Sequence, residues 1–398
     1  MSVELLSPAG NLEKLKFATY YGADAVYFSY KDYGLRNKAN NFSFDEIKYA
    51  INFLHERGKK GYITLNIYAK NNDLRSIETF IEKIASFNID AFIVSDPGII
   101  YLIKKMNVNI PLHLSTQANT TNINAVKFWE DLGIKRIILA RELPLKEIEF
   151  ICNNTNLEIE VFVHGAMCIS YSGRCYLSQY LTGKDANRGE CTHPCRWKYY
   201  LVEEERANDY YEVDFDERGS YILNSKDLCL IDYIDKLINA GVKSFKIEGR
   251  MKSLYYVSIV TGVYRKAIDN YYDNKFSLIK SYKDLLELVS NRGYTNAFID
   301  GYNNKTTNNV SSKYVRKGDF IGYFINKDGK YILISRAKAE VGEKLKVFTP
   351  NLYKFNLILK DIYSLKDGNK VEFLKPNEEY VIDTPKDIEE YSLLVRDR

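Results

Sequence analysis

The sequence predicts a parallel (β/α)8 barrel of the TIM type, followed by a small antiparallel β-barrel domain. Three observations carry that prediction. Short apolar or β-branched runs alternate with amphipathic helical stretches. Eight such runs occur, the number a closed barrel needs. Polar and glycine residues gather just beyond the run ends, where a barrel of this type places its active site. The chain of 398 residues also exceeds what one hydrophobic core usually serves, so a second, smaller domain is expected.

The runs are Glu4 to Ser7, Ala25 to Phe28, Gly61 to Asn66, Ala91 to Ser95, Leu112 to Ser115, Arg136 to Ala140, Ile159 to Val163 and Ser244 to Ile247. Helical patterns lie between most of them: Leu12 to Tyr21, Phe44 to Arg57, Leu74 to Phe87, Ala125 to Leu132, Leu145 to Cys152 and Leu230 to Ala240. Strict alternation favours a closed barrel over the alternative, an open doubly wound sheet. The rhythm breaks after the seventh run. We place the barrel domain at residues 1–302, including a cysteine-rich insertion at about 168–222, with Ser225-Lys226-Asp227 restarting a helix. A polar linker (NNKTTNNVSS) fills 303–312. In 313–398, the runs Asp319 to Phe324, Lys330 to Ser335, Lys344 to Phe348, Phe355 to Leu359 and Lys370 to Phe373 alternate between turn signals, which gives the small β-barrel.

Composition bounds the function. The 56 basic residues nearly match the 52 acidic ones, so a nucleic-acid face would have to be a local patch. No apolar run reaches the roughly 18 residues needed to span a bilayer, and the opening MSVELLSPAG lacks the basic and apolar regions of a signal peptide. The expectation is a cytoplasmic protein with no membrane partner. In that reducing compartment six cysteines point to metal or redox chemistry rather than to disulfides.

The run ends carry more charge than helix capping requires, since capping asks only for small polar residues. We take His164, Glu142, Glu248 and His113 as catalytic acid–base groups, and Arg141, Lys246 and Arg250, with Asn66 and Gln117, as substrate-binding groups around one pocket. Within the insertion Cys168-x6-Cys175 is followed, fifteen residues on, by Cys191-x3-Cys195, and Cys229 lies further along. Converging thiolates suit zinc or an iron-sulfur cluster. The absence of tight C-x2-C pairs argues against zinc. Cys152, inside a helical pattern, reads as a small apolar residue.

Four segments carry a resemblance. They are Glu160–Ser178 (EVFVHGAMCISYSGRCYLS), Asn187–Trp197 (NRGECTHPCRW), Asn224–Leu228 (NSKDL) and Lys246–Ser253 (KIEGRMKS). The first is similar, nearly residue for residue, to the signature of the peptidase U32 (collagenase-like) family, and the others resemble its tRNA-hydroxylating branch. The resemblance extends through the barrel and, more weakly, through the C-terminal domain. It implies a 4Fe-4S cluster held by Cys168, Cys175 and Cys191, with Cys195 and Cys229 competing for the fourth place. It further implies oxygen-independent hydroxylation of tRNA to 5-hydroxyuridine at the wobble position, with prephenate as a required co-substrate. Ribosomal RNA or a quinone precursor are the alternative substrates, and a homologous family subunit is a candidate partner. A small dicarboxylate would need cationic clamps, for which Arg141, Lys246 and Arg250 are the candidates.

RNA would find Arg174, Lys184, Arg188, Arg196 and Lys198 interleaved with Tyr176, Tyr180, Trp197, Tyr199 and Tyr200 in the insertion. Of these we single out Arg174, Arg188, Arg196 and Trp197. The family name raises a second reading, a peptidase. Neither G-x-S-x-G nor H-E-x-x-H occurs, and a cysteine nucleophile would have to come from the cluster set. A third reading, a noncatalytic RNA-binding adaptor, leaves the polar run ends unused.

Overall fold

The computed structural model describes residues 2–31, 41–197, 224–302, 314–384 and 388–397. Its first nine strands are β1 (Glu4–Pro8), β2 (Ala25–Phe28), β3 (Lys60–Leu65), β4 (Ala91–Val94), β5 (Leu112–Leu114), β6 (Arg136–Ile138), β7 (Glu158–Ala166), β8 (Asp227–Cys229) and β9 (Ser244–Ile247). Strands β1 to β7 pair in parallel, each with the next, and β9 closes the ring by pairing with both β7 and β1. The chain therefore forms the closed eight-stranded parallel barrel, built from the eight predicted runs.

The helices α1 (Leu12–Tyr20), α2 (Phe44–His55), α3 (Asn71–Ala85), α4 (Pro97–Lys105), α5 (Ile123–Asp131) and α6 (Leu145–Asn153) follow β1 to β6 in turn. Side-chain caps fix the starts of α1, α2, α4 and α5. Asn11 accepts from the Lys14 amide, Ser43 and Glu46 form a capping box, and Asp96 accepts from the Gly98 and Ile99 amides ahead of Pro97. Short α7 (Leu177–Thr182) belongs to the insertion, and α8 (Ile234–Asn239) and α9 (Leu254–Tyr272) flank β9.

Two elements depart from the expected pattern. Ser225-Lys226-Asp227 begins no helix; it leads into β8, which pairs antiparallel with the end of β7 and parallel with β10 (Tyr294–Thr295). The carboxylate of Asp227, 1% exposed, is fixed there by Arg292 at 2.6 Å, and that buried pair anchors the strand. Helix α9 was not visible in the periodicity. Every residue from Leu254 to Tyr264 is buried, so the first half of the helix shows no polar face. It packs on β1 and α1 within the barrel, and on the other side Gly262 admits Leu352 so closely that a Cβ would lie 3.0 Å from its methyl.

The C-terminal domain is antiparallel. Eight strands run in a row from Lys354–Ile358 at one edge to Lys370–Val371 at the other, through Lys344–Phe348, Leu393–Asp397, Gly318–Lys327, Lys330–Ser335, Glu379–Val381 and Ile362–Ser364. A ribbon of Ala339–Glu340 with Phe373–Leu374 accompanies them. Among the described residues no pair joins the two edges into a ring. Tyr323, Phe348, Leu352, Tyr391, Leu393 and Val395 of this domain belong to the same apolar core as the barrel. Among the described residues no helix is long and apolar enough to cross a membrane. The expected linker, 303–312, lies outside the described residues.

The floor of the barrel is ionic. Arg136 on β6 reaches Glu4 on β1 at 2.5 Å and Glu160 on β7 at 3.1 Å, while Lys246 on β9 reaches the other oxygen of Glu160 at 3.0 Å. The Tyr62 hydroxyl donates to Glu4 at 2.8 Å. Burial alone would raise the Glu4 pKa, but the charge and hydrogen bonds of Arg136 outweigh it and hold the carboxyl below its usual range. Removing one member of such a buried network leaves an uncompensated charge. We predict that Arg136→Met lowers stability by about 3–5 kcal/mol at neutral pH. Because a depressed carboxylate contributes stability above its unfolded pKa and loses it as pH falls through the folded one, the deficit shrinks in acid. Urea unfolding of both proteins at neutral and acid pH measures this.

Candidate active site

The site begins where β7 ends. Gly165 has a φ of +113°, and a Cβ there would stand 2.4 Å from the Glu248 carbonyl oxygen, so only glycine lets β7 pass this close to the end of β9. The register between these strands shifts at the same point, between Phe162 and His164. Beyond Ala166 the insertion folds back over the barrel mouth as turns at Tyr171–Gly173, Ala186–Arg188 and Pro194–Arg196 around α7.

Specific ties hold the insertion. Ser172, 1% exposed and left-handed at φ +44°, donates its amide to Glu142 Oε1 at 2.6 Å and its hydroxyl to Glu142 Oε2 at 2.5 Å. A non-glycine residue in that region costs roughly 1–3 kcal/mol, which the Glu142 bonds offset. Asn187 brackets Cys175, accepting from its amide at 3.4 Å and donating to its carbonyl at 3.0 Å. Arg188 grips Asp73 on α3 with both arms, at 2.6 and 3.0 Å. The same hydrogen bonds hold the Asp73 carboxyl below its usual range.

Between insertion and barrel lies a cavity of about 110 Å³. Cys168, Cys175, Cys191 and Cys195 line its roof, and Arg141, Lys246, Glu248, Arg250, Asn66 and Gln117 line its floor and walls. Burial pushes the Cys195 thiol up to about 11; Arg196 opposes this, while the neighbouring Cys168, Cys191 and Cys175 add to it. The four thiols of the insertion thus border one space. The His193 amide donates to Cys191 Sγ at 3.4 Å.

Below them Asn66 Nδ2 and Ser115 Oγ donate to the same Gln117 oxygen, at 2.9 and 3.0 Å. Arg141 donates to the Ala166 carbonyl at 3.0 Å and lies over the Phe162 ring, while its Nε is buried without a partner. Arg250 donates to the Thr64 hydroxyl at 3.2 Å. Burial lowers the Lys246 pKa against the opposing pull of Glu160, and its ammonium faces the rings of Tyr27 and Phe162.

The remaining expected residues lie elsewhere or are otherwise engaged. Cys229 sits on β8 beside a separate cavity of about 300 Å³ with Asp232, Lys283 and Tyr294, where it accepts from the Tyr264 hydroxyl at 3.8 Å. Its neighbours there are not the other thiols. His164 points away from the cavity among the rings of Tyr256, Tyr264 and Tyr294, and burial pushes its pKa down to about 3 against the pull of Asp227. His113 packs on Tyr62 in the barrel floor, where burial and then Arg136 lower its pKa well below the imidazole range. Burial favours the neutral form of both rings. Glu142 spends its two oxygens on Ser172, and Arg188 braces the insertion against α3.

Of the expected RNA contacts, Arg174 lies over the Tyr68 ring and hydrogen-bonds its hydroxyl, and Trp197 is 44% exposed. Arg196 donates to the Tyr314 hydroxyl at 3.2 Å. Lys198, Tyr199 and Tyr200 fall outside the described residues. Sequence reasoning missed Thr64, Phe162 and Glu160. Glu160 carried a usable signal: it occupies an inward position of an otherwise apolar strand and needed a buried cation opposite.

The family pattern described as peptidase family U32 covers residues 10–309, and that of the U32 C-terminal domain covers 316–395. The chain belongs to peptidase family U32. Among U32 relatives, the tRNA hydroxylation protein P1 of Bacillus subtilis is 39% identical over 93% of this chain and 88% of that protein. The tRNA hydroxylation protein P of Escherichia coli is 37% identical over 99% of this chain and 96% of that protein. A 23S rRNA 5-hydroxycytidine synthase of Escherichia coli is 38% identical over 81% of this chain and 47% of that protein. The U32 signature Glu160–Ser178 is the segment that carries β7, Ser172 and the first two thiols.

We predict that Glu142→Ala frees the Ser172 turn. Losing both acceptors for a buried amide and hydroxyl should cost about 1–3 kcal/mol, and limited proteolysis should cut faster between Cys168 and Tyr176 than in the parent. Unchanged cleavage would mean that Glu142 does not hold the insertion.

Proposed function

We propose that this U32 protein is an RNA hydroxylase that forms 5-hydroxyuridine at the wobble position of tRNA, with a 4Fe-4S cluster on Cys168, Cys175, Cys191 and Cys195 and prephenate as co-substrate. The observation that carries the reading is the shared cavity: four thiols bordering one space above a floor with Arg141, Lys246 and Arg250. The names of the Bacillus and Escherichia relatives, which match nearly end to end, supply the substrate class.

The chemistry of the thiols suits such a cluster, but among the described residues no three His, Cys, Asp or Glu side chains are gathered closely enough to hold a metal ion, so the four thiols would have to draw together around it. Thiolates are its ligands, and a backbone amide already donates to one of the sulfurs. Cys195 is chosen over Cys229 because it lines the common cavity. A cluster held there would supply one-electron redox chemistry. The protein's own groups bind and orient. Arg141 and Arg250 offer planar forks to the carboxylates of a small dianion. Lys246, held from behind by Glu160, adds a point charge. Glu248 is the carboxylate on the cavity wall placed to take or hold a proton.

One observation favours a peptidase instead. The Cys191 Sγ stands 3.8 Å from His193 Nδ1, the pairing a cysteine nucleophile would use. The two readings differ in what Cys191 carries. Protein purified without oxygen should hold about four irons per chain with broad charge-transfer absorption. Cys191→Ser and Cys195→Ser should lose that iron, whereas Cys229→Ser keeps it. Stoichiometric zinc, or an iron-free protein that cleaves peptides, overturns the proposal. Nucleoside mass spectrometry of tRNA and ribosomal RNA from a deletion strain names the product: missing 5-hydroxyuridine is expected, and unchanged RNA refutes the substrate.

A further inference from the structure

Beside the inner cavity lies a larger one of about 740 Å³, between the end of β9, the start of α9 and the C-terminal domain. Ala166, His193, Arg196 and Glu248 line both, so the two adjoin across these four residues. Five cations border the outer cleft, Arg196, Lys252, Arg316, Arg336 and Arg396, against two acids, Glu248 and Asp319. That surplus does not come from composition, since the whole chain is nearly balanced. Asp319 holds Arg316 at 3.0 Å, Glu13 holds Arg336 at 2.6 Å, Glu343 holds Arg396 and Asp227 stands 3.7 Å from Lys252, so four of the five cations are already paired. Each guanidinium has five donors, so these contacts orient the forks and leave donors over. An aromatic face accompanies the charge. Tyr314 is 45% exposed with the Lys252 ammonium 4.3 Å from its ring centroid, whereas Tyr255 is buried and already stacked on Phe320, so of these rings Tyr314 is the one open to a base.

Cations beside an open aromatic face are what a single nucleic-acid strand requires, phosphates meeting the guanidinium groups and a base meeting the ring. A small metabolite would use neither the length nor the stacking surface. We infer that the cleft between the barrel and the C-terminal domain is a single-stranded RNA track that seats the nucleotides beside the target base while that base enters the inner cavity. This rests on the RNA reading of the inner site and adds the surface that positions the substrate. The track is built from both domains, with Arg316 and Tyr314 from the C-terminal side and Lys252 from the barrel. A duplex, with its bases already stacked on each other, offers Tyr314 no face.

The test is fluorescence anisotropy of the full chain, purified without oxygen, with an anticodon-type RNA stem-loop across a salt titration. Arg316→Ala should weaken binding severalfold and make the log–log salt slope shallower by about 0.7, and Arg316→Lys should restore the slope. Tyr314→Ala should weaken binding about fivefold or more with the slope unchanged. Lys135→Ala, an exposed cation at the opposite end of the barrel, should bind as the parent does. Far-ultraviolet dichroism and the thermal midpoint serve as folding controls for each variant. Parental affinity and slope in both cleft variants overturn the track and leave the inner-site reading standing. Equal losses in Lys135→Ala also overturn it, by showing general attraction only. A parent that binds no RNA removes both.

Discussion

The buried ionic floor of the barrel is the constraint on which the site depends. Glu4, Arg136, Glu160 and Lys246 come from four different strands and are at most partly accessible, so their separate desolvation costs are met only when β1, β6, β7 and β9 stand in register. A hydrophobic floor would tolerate small slips of one strand past the next. This one does not, because a slip would strand a charge. Lys246 lies at the upper edge of the network, with Glu160 behind it and the cavity before it. The same contact that closes the barrel therefore fixes a cation of the site.

Above that floor the insertion supplies the thiols, and its own secondary structure is too short to hold them. Its rigidity comes from the barrel: Glu142 pins Ser172, Arg188 clamps Asp73, and Gly165 lets β7 run against the end of β9. Each tie sits within a few residues of a cysteine. Positions on a loop become as well determined as positions on a strand when every turn is tied to an element beneath it.

The barrel was legible because each strand is a compact apolar run and each run is followed by a polar end. What failed to show is equally physical. The first half of helix α9 lacks a polar face, so periodicity had little to report there, and β8 is three residues long with its Asp227 held by an arginine far along the chain. Within the site, sequence marked which residues carry chemistry but not where they point. His164 belongs to the most distinctive segment of the chain, yet it follows the register shift in β7 and turns into a tyrosine cluster. Cys195 and Cys229 could not be separated by spacing, because only the antiparallel pairing of β8 carries Cys229 round to another face.

Helix α9 has one further consequence. It is wrapped by barrel on one side and reached by Leu352 on the other, and residues of both domains belong to a single apolar core. Rotating one domain against the other would strip that helix of its cover, with each uncovered large aliphatic side chain costing roughly 1.5–3 kcal/mol. The space between the domains therefore behaves as a slot of fixed gauge, cut when the chain folds and not adjusted on demand. A ligand is admitted by its thickness, and heat that loosens one wall melts the other with it.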